Sequence, residues 1–299
     1  MRQPLSDQNT ALAAADINQA APAAKPWREQ RPDLYPRTGL AAWRSYLTAS
    51  VVLVLFFLGL DELEITVERL LHGFGKLGEV FGLMVPPESK GRTLVYLAAI
   101  AETVAMAFIG TLVASLLALP LALMGARNVM PFGLVRLFVR RSSDVVRGLD
   151  SLIWAIFFVS IVGLGPFAGI LAIVMIDTGV LTKLYAEALE NTDSEQTKGV
   201  RATGAGRLQT LLFGVLPQVL PVFLANSLYF VESNVRSATI LGVVGAGGIG
   251  FFLMDRMMIS AWREVALIIL LVLVTVAVID TLSRWLRNRL IGQTVTVRA

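Results

Sequence analysis

The chain's apolar residues fall in long runs, with little of the strict alternation of strands. Six stretches stand out: Ala42–Leu60, Leu94–Met124, Leu149–Gly163, Phe167–Tyr185, Phe213–Ile240 and Val265–Leu286. A helix needs about 20 mostly apolar residues to cross ~30 Å of hydrocarbon. The third stretch is short and is expected to borrow residues from the segment before it. The fifth is interrupted by Glu232 and Arg236. Trp43 precedes the first run, Trp154 opens the third, and Trp262 and Trp285 flank the sixth, where an interfacial belt would place them. A soluble core could hide one or two such runs, not six. The pattern predicts an all-α polytopic membrane protein with about six transmembrane helices, occupying residues 42–290.

The ends differ in kind. Residues 1–41 are rich in Ala, Gln, Asp and Pro and lack the apolar stretch of a signal peptide. They read as a disordered cytoplasmic tail, with a second short cytoplasmic tail at 291–299. The long loop Asp61–Arg92 carries Leu70, Leu71, Phe74, Leu77, Phe81 and Met84 at helical spacing, between Glu64, Glu68, Arg69, Lys76 and Glu79. That predicts an amphipathic helix on the outer membrane face, a lid over span ends or a docking surface. Of the 26 Lys and Arg residues, most lie in the two tails and the loops Arg127–Arg147 and Lys183–Arg207. By the positive-inside bias those segments and both termini are cytoplasmic.

Composition narrows the chemistry. Apolar residues make up 55% of the chain and charged residues 16%, against roughly 25% charged in average soluble domains. There is no cysteine and a single histidine, His72, a surface residue of the outer loop on this reading. Thiolate and multi-histidine metal sites are therefore excluded, and acid–base chemistry would rest on carboxylates. No G-x-x-x-x-G-K-[ST] occurs, so the chain has no P-loop of its own.

The inner loop from Glu187 to Pro217 is the most punctuated stretch. Asp193 is placed to cap a helix, with Gln196 three residues on as in a capping box. Gly204 suits the left-handed residue that ends a helix. A second helix then starts near Arg207 and runs into the fifth span. A flexible connector would not need such punctuation; a strut that transmits force would.

Gly204 with Leu216-Pro217 resembles the "E-A-A…G…I-x-L-P" signature of permease subunits of binding-protein-dependent ABC importers. Lys198-Gly199-Val200 stands where Glu-Ala-Ala is typical, and Gly214 replaces the usual Ile. Three further stretches resemble the phosphonate branch: Val162–Gly169, Gly199–Gly204 and Glu232–Gly250. The likeness runs from about Thr93 to Arg287. It implies a type I ABC importer permease-like fold in a bacterial inner membrane. It implies a second copy of the chain, two cytoplasmic ABC ATPase subunits that hold ATP and Mg, and an extracytoplasmic substrate-binding protein. The chain itself would be non-catalytic and bind no cofactor, with lipid around it and no nucleic acid among its partners. The loop at about 187–216 would be the ATPase-coupling loop, with Gly199, Arg201, Gly204, Arg207, Leu216 and Pro217 as its residues. The substrate class would be a phosphonate or a related phosphite or phosphate.

Gly245-Ala-Gly247-Gly248-Ile-Gly250 satisfies G-x-G-x-x-G, but the dinucleotide fingerprint works only between a strand and a helix. Here it follows a membrane helix. Either the glycines let backbones line a pathway, or they let helices pack closely; their density favours the pathway. Intramembrane charges are costly and usually face a pathway or a partner. Glu232 and Arg236 are four apart and suit either an on-helix pair or anion handling. Asp177 suits packing or a capping role near Thr178-Gly179, and Glu102 takes no role. Glu232, Asn234, Arg236, Ser237, Thr239, Gly245, Gly247 and Gly248 are thus assigned to the translocation pathway. Arg236 lies 19 residues beyond Pro217, about 28 Å of helix. That places it toward the outer mouth, where its guanidinium would offset the dehydration of phosphoryl oxygens.

Rival readings remain. An ion-coupled secondary transporter would need an internal repeat and midplane carboxylates around broken helices, and no convincing repeat is visible. An intramembrane enzyme would need clustered acid, base or metal groups. An ABC permease for an unrelated solute would share the coupling loop but not the phosphonate-like stretches.

Overall fold

The computed structural model describes residues 40–63 and 66–295. The tail assigned to 1–41 lies outside them except at its last two positions, as do the last four residues of the C-terminal tail. The chain divides into two compact units, residues 1–77 and 78–299. Every described residue is helical or in a connecting turn; none is in a strand. Five helices are long and apolar enough to cross a membrane, or six if one bent pair counts as a single span.

In the first unit, α1 covers Leu40–Glu62. Val51 to Leu58 stand largely bare along it, as expected of a face made for acyl chains. α2, Val67–Met84, begins in this unit and ends in the second; it buries none of its residues, and the amphipathic helix expected in this loop is present.

The second unit is built on α3 (Thr93–Gly125) and α6 (Pro166–Glu190). They pack closely because α3 shows α6 a stripe of small residues. Ala107, Ala114, Ala118 and Ala122 are all at 0% exposure. A β-carbon on Gly110 would come within 2.7 Å of Ile173 Cγ2. Between lipid-embedded helices there is little hydrophobic gradient, so this close backbone approach supplies the attraction. α9 (Leu216–Leu241) completes the core, where Val219 and Phe223 meet Leu181, Tyr185 and Leu189. Tyr185 stacks on Phe223 with ring centroids 4.2 Å apart.

The short third run counts as a span only together with the segment that precedes it. α4 (Gly133–Val146) and α5 (Ser151–Val162) are separate helices bent 85° from one another. Asp150 starts α5 afresh by accepting the Leu152 N–H at 2.9 Å. α5 alone has 12 residues, about 18 Å of rise, too short to cross the hydrocarbon. The end of the fifth run also departs from expectation. After α9 the chain turns through Gly242–Ala246 into an additional helix, α10 (Gly248–Met258), before α11 (Trp262–Val295). α11 extends past residue 290, so the C-terminal tail assigned from 291 begins as helix.

The start of α3 and the start of α11 are tied by a buried carboxylate. Glu264 is 2% exposed and accepts the Tyr96 hydroxyl proton. Lys90, Arg92 and Arg256 stand 3.5, 3.9 and 3.7 Å from it. These two helix ends are therefore level.

Candidate functional site

Between Asn191 and Gln218 lies a short helix fixed at both ends. α7, Ser194–Ala202, buries none of its nine residues. Asp193 caps it, accepting the Glu195 N–H at 2.9 Å. The capping box predicted with Gln196 is replaced by a tertiary one. The Asp193 N–H donates to Gln218 Oε1 at 2.9 Å, and Gln218 Nε2 donates to the Gly214 carbonyl at 2.6 Å. A glutamine of α9 thus holds the start of α7. At the other end Gly204 has φ +84° and its N–H returns to the Arg201 carbonyl at 3.0 Å. The left-handed turn is where the sequence placed it.

The next helix, α8, is Arg207–Thr210, and the Gly206 N–H before it is taken by Gln209 Oε1 at 2.9 Å. Leu211–Val215 widens into a π turn, just ahead of Pro217, whose ring nitrogen has no proton for the helix ladder. A β-carbon on Gly214 would stand 3.4 Å from Thr197 Cα. Glycine in place of the family's usual Ile therefore lets α7 seat directly on this turn. Gly199 and Arg201 lie exposed on α7, and Arg207 and Pro217 are exposed beside it.

The second feature is a polar cavity of about 470 Å³ between α6, α9 and the α4–α5 turn. Asn234 and Ser237 line it, with Asp177, Arg147, Ser151 and Ser233. Asp177 is 2% exposed and Asn234 7%. The Asn234 amide donates to Asp177 and, at 2.8 Å, to Thr111 Oγ1. Asp177 lies inside α6, so it caps nothing; it is one member of a buried polar triad joining α3, α6 and α9. Arg147 is partly committed to Asp144 at 3.2 Å. Arg147, Ser151 and Ser233 were missed in the sequence. The Asp150-Ser151 pair at the head of an apolar run was the available signal, since a helix start leaves polar groups at a cavity wall.

The other predicted pathway residues are elsewhere. Arg236 Nη1 donates to Asp280 Oδ1 of α11 at 3.0 Å, while its Nη2 lies 3.8 Å from Glu232 Oε1. Glu232 accepts instead from Arg287 at 2.6 Å. Each charge has found its nearer partner on α11, forming a four-membered ladder between the two helices. Asp280 is about 27 Å along α11 from its Trp262 end, and Glu102 about 14 Å along α3 from the level end. Glu102 meets Gly248 (3.1 Å, backbone N–H to Oε1). Arg236 is thus farther from that end than the glycine segment that follows it in the chain.

Thr239 bonds back to the Val235 carbonyl at 3.2 Å and faces α3, α10 and α11. Gly245, Gly247 and Gly248 have φ of +95°, +82° and +67°. β-carbons there would meet Leu164 Cδ2 at 2.3 Å, Glu102 Oε1 at 2.8 Å and Thr103 Oγ1 at 2.3 Å. The Gly165 N–H donates to the Gly245 carbonyl at 3.0 Å, and the Ile249 N–H to Thr103 Oγ1 at 2.9 Å. Unusual backbone angles and close packing surround these glycines, and none of the three lines the polar cavity. Glu102, given no role in the sequence, is the acceptor that closes this junction. Among the described residues no group of three His, Asp or Glu side chains is placed to hold a metal ion.

Residues 118–292 match the family described as "Binding-protein-dependent transport system inner membrane component". The chain is 36% identical over 265 residues to the phosphite transport system permease protein PtxC of Stutzerimonas stutzeri, covering 87% of this chain and 94% of that one. It is 38% identical over 212 residues to the phosphate-import permease protein PhnE of Mycolicibacterium smegmatis, covering 71% of this chain and 40% of that one. Among solved structures, an inward-facing conformation of the MetNI methionine ABC transporter aligns with a TM-score of 0.59 at 21% identity, over 68% of this chain and 99% of that one. That likeness establishes the fold.

Proposed function

This chain belongs to the binding-protein-dependent transport system inner membrane components, and from that premise we propose that it passes a phosphorus oxyanion (phosphonate, phosphite or phosphate) across the inner membrane. It is a multi-pass translocation subunit of an ABC importer, a transport component rather than a catalyst. Two copies face one another, two ATPases dock on α7, and an extracytoplasmic binding protein delivers substrate. ATP and Mg are held by the ATPases, and both termini of the permease are cytoplasmic.

The observation that carries this reading is the clamped α7. A nine-residue helix with no buried residue gains little from the chain's own core. Yet Asp193, Gln218, Gly214 and Gly204 fix its direction. Such a part is shaped to be pushed. Closure of the ATPases moves α7, and Gln218 hands that movement to α9, which with α6 walls the polar cavity. The ATP-bound state opens that cavity outward, and hydrolysis returns it inward. Nucleotide drives the change only by binding one state better than the other. The hydroxyls of Ser151, Ser233 and Ser237 and the Arg147 guanidinium supply donors for phosphoryl oxygens.

Uptake of labelled phosphite in cells carrying the chain with its partners tests the substrate class. Unlabelled phosphite, methylphosphonate or phosphate should compete, and methionine should not. Competition by methionine alone would place the substrate outside the phosphorus oxyanions.

A further inference from the structure

A second cavity, about 660 Å³, lies between α4 and the last turns of α6 and shares no lining residue with the first. Its lining is strongly cationic, and most of its cations are spoken for. Arg140 bonds Glu190 at 2.6 Å and the Gly125 carbonyl at 2.9 Å, Arg127 stands 3.9 Å from Glu190, and Arg141 leans on Asp144 at 3.4 Å. Arg136 and Lys183 also line it and form no ion pair among the described residues. Thr182 lines it too, 2% exposed, with a hydroxyl that has no hydrogen-bond partner. Against these stand the acids Asp144, already engaged, and Glu187. The cavity is short of negative charge.

The helix that forms its wall is equally unfinished. α4 is turned 85° from α5 and leaves Leu134 83%, Phe138 73% and Val145 73% exposed. A helix with bare apolar residues on one side and arginines on the other lies in the membrane interface. Basic pockets between membrane helices suit anionic lipid head groups. A free phosphate ion would answer the cations and leave Leu134 and Phe138 uncovered; a phospholipid answers both.

We propose that this cavity seats the phosphate group of an anionic phospholipid, held by Arg136 and Lys183, with its acyl chains along Leu134 and Phe138 of α4. The seated lipid braces α4 against α6 beside the stem of the α7 segment. Because α4 leads into the turn that carries Arg147, occupancy sets the position of one wall of the polar cavity.

The test uses the full chain, with whatever subunits co-purify, in phosphatidylcholine nanodiscs titrated with phosphatidylglycerol and read by native mass spectrometry. Saturable retention of phosphatidylglycerol is expected. The double substitution R136Q/K183Q should weaken it roughly tenfold or more, at about 1 kcal/mol per cation, while K198Q on exposed α7 should not. Melting in pure phosphatidylcholine should be the same for all variants. If the double variant fails to assemble, Thr182→Val, which removes a hydroxyl with no partner, keeps the fold and should show a smaller loss. Unchanged retention in either variant overturns the proposal. Displacement of the lipid by excess inorganic phosphate overturns it as well, since the site would then belong to the free anion.

Discussion

Two glycine turns, at Gly204 and at Gly245–Gly250, look alike in sequence and differ in what they are for. Both hold glycine in left-handed backbone, at φ +84° in the first and +95°, +82° and +67° in the second. Around Gly204 nothing lies within 4 Å of where a β-carbon would stand. A β-carbon on Gly250 would fall 1.9 Å from the Thr239 carbonyl oxygen, and on Gly242 2.4 Å from that of Gly247. The first turn is constrained by its torsion alone and faces outward. The second is constrained by torsion and by neighbours, and it joins α9 to α10 against α3 and the α5–α6 turn. One aims an exposed helix; the other holds the bundle together.

If that contrast is right, Gly250→Ala has the largest effect. Two backbones must part to admit the methyl, at roughly 3 kcal/mol or more, and thermal melting of the detergent-solubilised chain should show most of it unfolded. A normal melt would mean that the junction yields easily and the contrast is empty. Asn234→Ala should come next. It strips Asp177 and Thr111 of a buried donor, at about 1–3 kcal/mol, and Asp177→Asn in the same chain should not add its full cost. Strict additivity in that double-mutant cycle would dissolve the triad.

Gly204→Val separates the two turns most cleanly. A β-branched residue is a misfit at this φ, worth about 1–2 kcal/mol locally, so the protein should reach the membrane and melt nearly as before. Uptake should nonetheless be lost, because α7 no longer points at its partner. Uptake at the normal rate in an assembled transporter would remove α7 from the coupling path.

How much of this was legible in the chain follows from the range of each interaction. Local rules carried the spans, the Asp193 cap and the Gly204 turn, because hydrophobic length, side-chain caps and torsion are settled within a few residues. Partners far along the chain were not legible. Glu232 and Arg236 sit at an ideal on-helix spacing, and nothing in that spacing says that Asp280 and Arg287 wait on α11. Gln196 was the local candidate for the capping box, and Gln218 took its place because α9 returns beside α7. α10 is too short to register as a span, and the glycines before it concealed its start. The density of those glycines suggested a pathway, and their contacts with Leu164, Glu102 and Thr103, all from other elements, could not be read from it.

Two smaller effects sharpen the same point. Arg236→Gln should cost no more than about 1 kcal/mol, since the Arg236–Asp280 pair is partly exposed, and the E232Q/R236Q double substitution should leave appreciable uptake. Loss of all uptake in an assembled double mutant would instead place Arg236 in the pathway. Gly199→Ala, in the exposed interior of α7 with nothing within 4 Å, should stabilise the isolated helix by up to about 1 kcal/mol. Circular dichroism of a peptide spanning residues 191–206 would read that gain.

The most direct measurement is uptake of labelled phosphite by proteoliposomes containing this chain, with the partner ATPase, the binding protein and ATP each present or withheld. The account predicts uptake only when all are supplied, and none under an imposed proton or sodium gradient alone. Uptake that persists without the ATPase, driven by such a gradient, would contradict it.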